Sequence, residues 1–150
     1  MGLDIDERAA QLTGFALLMK ARADDDQLLS GDVKLNVAAL RDSTGFDPDS
    51  LEQGLKLADY DVTPDNLKAL KELFENATTF GSLIQVPEGL AEKLPALRKL
   101  SEVKGGDLFV TGALEELGPL VQQAEMLVGR YDNVVANPPY MGSKGMNAQV

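Results

Sequence analysis

Apolar side chains recur at three- and four-residue spacing along most of this chain, which is the spacing of one face of an α-helix. Over residues 7 to about 22 the pattern predicts a helix that carries Leu12, Ala16 and Met19 on one face. Asp6 precedes the first helical residue, and its carboxylate is the expected N-terminal cap.

Two later helices are each marked by a capping residue followed by a proline, in Asp47-Pro48 and Thr63-Pro64. Proline suits the first helical position because the N–H that it lacks would have no partner inside the helix there. The buried faces predicted for the two helices comprise Leu51, Leu55 and Ala58 in the first and Leu67, Leu70, Phe74 and Ala77 in the second.

The second half of the chain predicts three more helices. A leucine stripe interrupted by Pro95 indicates two short ones, and Gly105-Gly106 then marks a turn. Residues 113–129 predict a long helix in which Pro119 is a potential break. The inward positions of the three helices are Leu90, Leu94, Leu97 and Leu100, followed by Leu117, Leu120, Ala124 and Val128.

Apolar runs of strand length lie between these helices. Residues 1–5 have the pattern of the end of a short strand, and residues 80–86 and 131–136 each have that of a buried strand. Residues 33–40 fit either a strand or an apolar loop. Helices that alternate with apolar strands are typical of an α/β fold, in which helices cover a parallel sheet.

Composition narrows the possible chemistry. The chain has 150 residues, the size of a single domain, and contains neither cysteine nor histidine. These absences exclude disulfides, thiolate nucleophiles, zinc sites of the usual ligand type and histidine acid-base catalysis. No stretch approaches the roughly 20 apolar residues that span a bilayer, and the N-terminus is acidic. We therefore expect no membrane association and a cytoplasmic location.

Charge restricts the partners. Fourteen lysines and arginines stand against 24 aspartates and glutamates, which gives a net charge of −10. A surface that holds DNA neutralises phosphates with positive side chains, so we expect another segment to grip DNA if DNA is a substrate.

The end of the chain carries the strongest chemical signal, where the strand predicted over residues 131–136 runs into Asn137-Pro138-Pro139-Tyr140. Two prolines fix the backbone, so the Asn137 side chain and the Pro138 carbonyl can converge as two acceptors on one NH2 group. Hydrogen bonds to both protons of an aromatic amine free its lone pair for attack on a methyl sulfonium. Tyr140 offers a flat face on which an extruded base can stack.

These four residues resemble motif IV of the amino-methyltransferases. The longer string over residues 131–147 is similar to the adenine-specific methyltransferases of BREX phage-defence systems and of type IIG restriction-modification enzymes. The resemblance implies an incomplete Rossmann-like methyltransferase sheet and transfer of a methyl group from S-adenosylmethionine to adenine N6 in double-stranded DNA. It also implies that Asn137, Pro138, Pro139 and Tyr140 form the catalytic site, without a metal.

Residues 2–6, which read Gly-Leu-Asp-Ile-Asp, are similar to motif II of the same enzymes. By that resemblance Asp4 binds the ribose hydroxyls of the cofactor and Ile5 packs against its adenine ring. The family often places an acidic residue near the cofactor adenine amine, on the strand between the two motifs. Residues 76–84 are the expected counterpart and contain no aspartate, so this contact stays unassigned.

The same resemblance predicts a partial methyltransferase domain over residues 1–150. No glycine-rich motif I precedes Met1 and no target-recognition region follows, so we expect the isolated piece to be inactive and to bind S-adenosylmethionine weakly at best. The separation of Asp4 and Asn137 exceeds the need of two strand-helix units, which predicts a helical insertion at about residues 24–77. Exposed strand edges favour self-association.

Two alternatives stay open at this stage. A glutamine side-chain amide in a protein poses the same chemical problem as adenine, and the enzymes that methylate it also use Asn-Pro-Pro-Tyr. The helical portion can also be a non-catalytic interaction module that docks the proteins of a defence complex, because its acidity suits a protein partner better than DNA.

Overall fold

The structure is a computed structural model that describes residues 1–25 and 35–135 of the chain. Within these ranges one helix lies between two short strands along the chain, and six further α-helices follow. In chain order the elements are β1 (Gly2–Asp4), α1 (Glu7–Asp24), β2 (Val37–Ala39), α2 (Pro48–Gly54), α3 (Pro64–Leu73), α4 (Ala77–Phe80), α5 (Glu88–Ala91), α6 (Leu94–Ser101) and α7 (Leu108–Val128).

The two strands pair in parallel, with Gly2 opposite Val37 and Asp4 opposite Ala39. The Leu40 N–H donates a hydrogen bond of 2.7 Å to the Asp4 carbonyl, which joins the strands at their carboxyl ends. The alternative left open for residues 33–40 is thereby decided in favour of a strand. A small parallel sheet with many helices confirms the coarse α/β prediction.

Helix α1 begins at the expected cap, because the Asp6 carboxylate accepts the N–H groups of Arg8 and Ala9 at 2.8 and 3.2 Å. It packs on the two strands through small residues, among which Ala10 is buried. The apolar face inferred from spacing lies elsewhere, since Leu12 is 68% and Met19 is 49% exposed. The spacing of apolar residues predicted the exposed face of α1 as the buried one, whereas the strands contact the face that carries Ala10.

Helices α2 to α7 share one apolar core with the turns between them. The two proline-marked helices begin as predicted, and Thr63 and Asn66 form a reciprocal capping box at the start of α3. The most deeply buried large side chains of this core are Phe46, Leu51, Leu67, Leu70, Phe74, Leu97, Leu100, Leu117 and Val121.

The predicted leucine stripe forms the short helices α5 and α6, with Pro95 in the first turn of α6 where it does not interrupt a hydrogen bond. Helix α7 starts earlier than predicted, at Leu108, and its cap Asp107 accepts the Val110 N–H at 2.9 Å. It also continues through Pro119 without a break. Burial of Leu117 and Leu120 on either side of the proline holds the helix in place.

Two strand predictions are wrong. Residues 80–86 contain the end of α4 and a 3-10 turn over Gly81–Leu83, and Gly81 has a φ of 56°. Residues 131–135 form no strand, and Val134 and Val135 are 76% and 97% exposed. A short apolar run becomes a strand only when another strand pairs with it, and neither described run has such a neighbour. Ala136 lies outside the described residues.

Among the helices in the described ranges, none is both long and apolar enough to cross a membrane.

Candidate functional site

Asp4 occupies the carboxyl end of β1, and its Oδ1 atom accepts a hydrogen bond of 2.8 Å from the Asp6 N–H. This contact closes a tight turn between the strand and the cap of α1. Open α/β sheets bind their ligands outside the carboxyl ends of the strands. A carboxylate has about four acceptor positions, so the turn leaves Asp4 able to accept further donors.

Ile5 follows Asp4 and presents an apolar surface that is 54% exposed. A β-carbon built on Gly81 would lie 3.5 Å from Ile5 Cγ2, so the turn after α4 approaches Ile5 closely. Phe80 and Leu83, on either side of this glycine, are also exposed. The chain therefore places a partly exposed apolar surface directly beside the Asp4 carboxylate.

A cleft of about 480 Å³ opens at the carboxyl ends of the two strands. Its walls include Ile5, Arg41, Asp42, Thr44, Thr78 and Glu116.

Asp42 enters the cleft from the segment that follows β2. Its two carboxylate oxygens accept the Thr78 N–H at 2.9 Å and the Thr78 hydroxyl at 2.8 Å. Thr78 belongs to α4, so this pair ties the exit of β2 to the helices. The adjacent Ser43 does the same at the end of α3, because its hydroxyl donates to the Lys71 carbonyl at 2.5 Å.

Gln123 supplies a third tie, from α7. Its Oε1 accepts the Arg41 N–H and its Nε2 donates to the Arg41 carbonyl, both at 3.0 Å. Gln123 is only 1% exposed. Three consecutive residues, Arg41 to Ser43, are thus each bound to a different helix.

Among the described residues, carboxylates dominate the charge of the cleft, which is lined by Glu7, Asp42 and Glu116 and by one cation, Arg41. Arg41 Nη2 lies 3.7 Å from Glu7 Oε1, and both side chains are at least half exposed, so water screens this pair strongly. Such a cleft disfavours phosphate and suits a ligand with hydroxyls, amines or a positive charge. Within the described residues no group of three acidic side chains is arranged to hold a metal ion.

Asp4 ends β1, and Ile5 follows it at the edge of the cleft, which Ile5 lines. Asn137, Pro138, Pro139 and Tyr140 lie outside the described residues. The last contact before them is made by Tyr131, whose hydroxyl donates to the Met126 carbonyl at 2.8 Å and also contacts Met1 Sδ. The chain therefore returns from α7 to the start of β1.

Asp42 was not singled out in the sequence, because the acidic residue was expected within residues 76–84. Residues 76–84 are helical, and the neighbour of β1 is the strand Val37–Ala39. The available signal was an aspartate just after the ambiguous apolar run over residues 33–40. Gln123 gave no such signal, because only its contact with Arg41, 82 positions away, makes it notable.

The chain matches the family described as Eco57I restriction-modification methylase over residues 1–149. It is 44% identical over 170 aligned positions to a protein of Escherichia coli O9:H4 (strain HS) named adenine-specific methyltransferase BrxX; the match covers 99% of this chain and 14% of that protein. It is 29% identical over 157 positions to the adenine-specific methyltransferase PglX of Lacticaseibacillus casei (strain Zhang), covering 97% of this chain and 12% of that one. The chain thus spans a small part of the length of these relatives.

Proposed function

The chain belongs to the Eco57I restriction-modification methylase family, and we propose that it is part of an S-adenosylmethionine-dependent methyltransferase acting on adenine N6 in double-stranded DNA. The names of both relatives support the adenine specificity. Because the chain covers only 14% of the Escherichia coli relative, the reaction is assigned to the whole protein and not to these 150 residues.

The observation that carries the proposal is the position of Asp4 and Ile5 at the carboxyl end of a parallel strand, beside a cleft of about 480 Å³. Asp4 accepts hydrogen bonds from the ribose hydroxyls, and Ile5 packs its exposed side chain against the adenine ring. When bound, S-adenosylmethionine supplies a methyl group on a positively charged sulfur. It carries hydroxyls and amines and no phosphate, which fits the acidic lining.

Asp42 extends this site along the sheet. It lies just beyond the strand next to β1, and its carboxylate keeps acceptor positions beyond its two bonds with Thr78. We assign it the acidic contact to the cofactor adenine amine that the sequence left unassigned. Its location after β2 supports this role.

The catalytic residues of the proposal are Asn137, Pro138, Pro139 and Tyr140. The Asn137 side-chain oxygen and the Pro138 carbonyl accept hydrogen bonds from the two N–H groups of adenine N6, Pro139 fixes the turn, and Tyr140 stacks on the extruded base. An extended chain advances about 3.3 Å per residue, so the six residues from Tyr131 reach about 20 Å. That reach exceeds the roughly 10 Å length of the three-residue strand β1, at whose start Tyr131 contacts Met1.

The wider architecture follows from the same proposal. The two strands are part of a larger Rossmann-like sheet completed by other segments of the whole protein. The proposed helical insertion at about residues 24–77 includes β2, so its helical part lies beyond that strand. Double-stranded DNA is held by those other segments, because the net charge here is −10. Defence-complex proteins are further proposed partners, and the piece alone is proposed to be inactive, to bind the cofactor weakly and to self-associate.

The proposal is tested with the full-length protein, DNA and S-adenosylmethionine labelled in the methyl group. We expect label in DNA, and N6-methyladenine in its nuclease digest. Label in a glutamine of a protein would instead support the alternative chemistry of the Asn-Pro-Pro-Tyr motif. Cofactor binding without transfer to DNA or protein would contradict the proposed reaction.

A further inference from the structure

Gln123 is a buried amide in the middle of α7, and both its polar atoms bind the main chain of one residue, Arg41. At 1% exposure the side chain is out of reach of bulk water. A buried amide of this kind is tolerated only while both its donor and its acceptor are paired, and losing one partner leaves an unsatisfied polar group. Gln123 and the Arg41 main chain therefore fix each other in place.

The residue that Gln123 holds joins the strand pair to the cleft. On one side of Arg41, the Leu40 N–H bonds to the Asp4 carbonyl at 2.7 Å. On the other side, Asp42 lines the cleft and binds Thr78 through its carboxylate. A shift of the Arg41 backbone is thus transmitted to Asp4 and Asp42 together.

The core itself has no need of an amide at this position. Its other deeply buried members are almost all apolar, with Ser43 as the second buried polar residue, and Ser43 also binds the main chain near the same strand exit. The Arg41 side chain is half exposed, and only its main chain is held by Gln123. In the part of the chain that the structure describes, the two buried polar side chains therefore both fix the segment from Arg41 to Ser43, which lies between the strand and the cleft.

We propose that Gln123 is a positioning residue for the cofactor site: through the main chain of Arg41, it sets the separation of the Asp4 and Asp42 carboxylates. This inference rests on the proposed function, because it assigns the two carboxylates to the adenosyl group of S-adenosylmethionine. Gln123 does not touch the cofactor. Its loss weakens cofactor binding more than it slows the reaction at saturating cofactor.

The test uses the full-length protein with Gln123→Met, which keeps the length of the side chain and removes both hydrogen bonds. We expect the Kd and the KM for S-adenosylmethionine to rise about tenfold, because the loss of both hydrogen bonds frees the Arg41 main chain to move. The kcat at saturating cofactor and the KM for DNA are expected to stay within about twofold of wild type, because the DNA site is not involved.

Val121→Ala is the matched control. Val121 is fully buried in the same helix, so its truncation destabilises the core without removing a hydrogen bond from Arg41. We expect its Tm to fall and its Kd for the cofactor to match the wild-type value. If Gln123→Met fails to fold, Gln123→Glu is measured instead, because it retains the oxygen that accepts the Arg41 N–H. A severalfold rise in Kd is expected for this variant.

The outcomes separate the two proposals. A folded Gln123 variant that binds S-adenosylmethionine as tightly as wild type, despite a lower Tm, overturns the positioning role and leaves the methyltransferase proposal intact. Equal weakening of cofactor binding by Val121→Ala also overturns it, because stability alone would then explain the effect. A wild-type full-length protein that neither binds the cofactor nor methylates DNA overturns both.

Discussion

Gly54 lies so close to Val110 that a β-carbon built on the glycine would be 2.2 Å from Val110 Cγ2. Val110 is buried in the first turn of α7. A β-carbon built on Gly106 would also lie close to it, 2.7 Å from Val110 Cγ1. The two helices therefore pack at a distance that only glycine permits.

Gly54→Ala is expected to destabilise the chain by about 1–3 kcal/mol, because the added methyl group overpacks the core at Val110. Urea unfolding followed by circular dichroism measures the change. Gly89→Ala is the control: Gly89 is a helical glycine with no atom within 4 Å of the added carbon, so its variant should be at least as stable as wild type. The double variant Gly54→Ala, Val110→Ala should be destabilised by less than the sum of the losses in the two single variants. Full additivity of the two losses would contradict the contact.

Asp47 gives the stability a pH dependence. The hydrogen bond from the Ser50 hydroxyl, followed by the N–H of Asp49, holds the pKa of this carboxyl below its ordinary value in the folded chain. The stabilisation is therefore complete above the ordinary carboxyl pKa and is lost as the pH falls through the lowered one. Asp47→Asn keeps a capping oxygen but cannot titrate.

We expect wild type to lose stability relative to Asp47→Asn as the pH falls below the ordinary carboxyl range, and the difference to be constant above it. Unfolding curves of both proteins across acidic and neutral pH measure this. A difference that grows toward neutral pH would contradict the lowered pKa.

Asp4→Asn separates the ligand role of Asp4 from its structural role. Asparagine retains an oxygen for the Asp6 N–H, so the turn after β1 is preserved while the negative charge is lost. In the full-length protein we expect affinity for S-adenosylmethionine to fall about tenfold, as expected for a charged hydrogen bond, with an unchanged Tm. Asp6→Asn, which keeps the cap of α1, should bind the cofactor normally. Equal effects of both variants would indicate a general loss of charge.

Asn137→Ala in the full-length protein is expected to abolish DNA methylation and to leave cofactor affinity largely intact. The side chain is proposed to accept a hydrogen bond from adenine N6 and has no role toward the methyl donor. Transfer of labelled methyl groups and calorimetric binding of S-adenosylmethionine are measured on the same preparation. Parallel loss of both would mean that Asn137 has a structural role.

The helix starts were predictable because their signals are local. Asp47 with Pro48 and Thr63 with Asn66 satisfy N–H groups within three residues of the cap, and no distant contact is needed. The face of α1 was only partly predictable. Spacing found Leu12 and Met19 on an exposed face, but which face is covered depends on where β2 lies.

Strands and the remainder of the site depend on partners far along the chain. Residues 33–40 and 80–86 are similar apolar runs, and only the first pairs with β1, which sequence spacing does not reveal. Asp4 and Ile5 were identified through a short motif. Asp42 and Gln123 acquire their proposed roles from contacts with Thr78 and Arg41, and neither residue is unusual in its local sequence.

The hydrogen bonds that join Arg41, Asp42 and Ser43 to three different helices also limit where two related sequences can be joined into a chimera. A chimera that exchanges the helical part between relatives at a boundary after Ser43 would separate Arg41, Asp42 and Ser43 from the α7, α4 and α3 residues that bind them. The strand exit and the helices must therefore be inherited together. We expect viable crossovers to fall before residue 41 or beyond residue 123, and those between these positions to require matching residues at both ends.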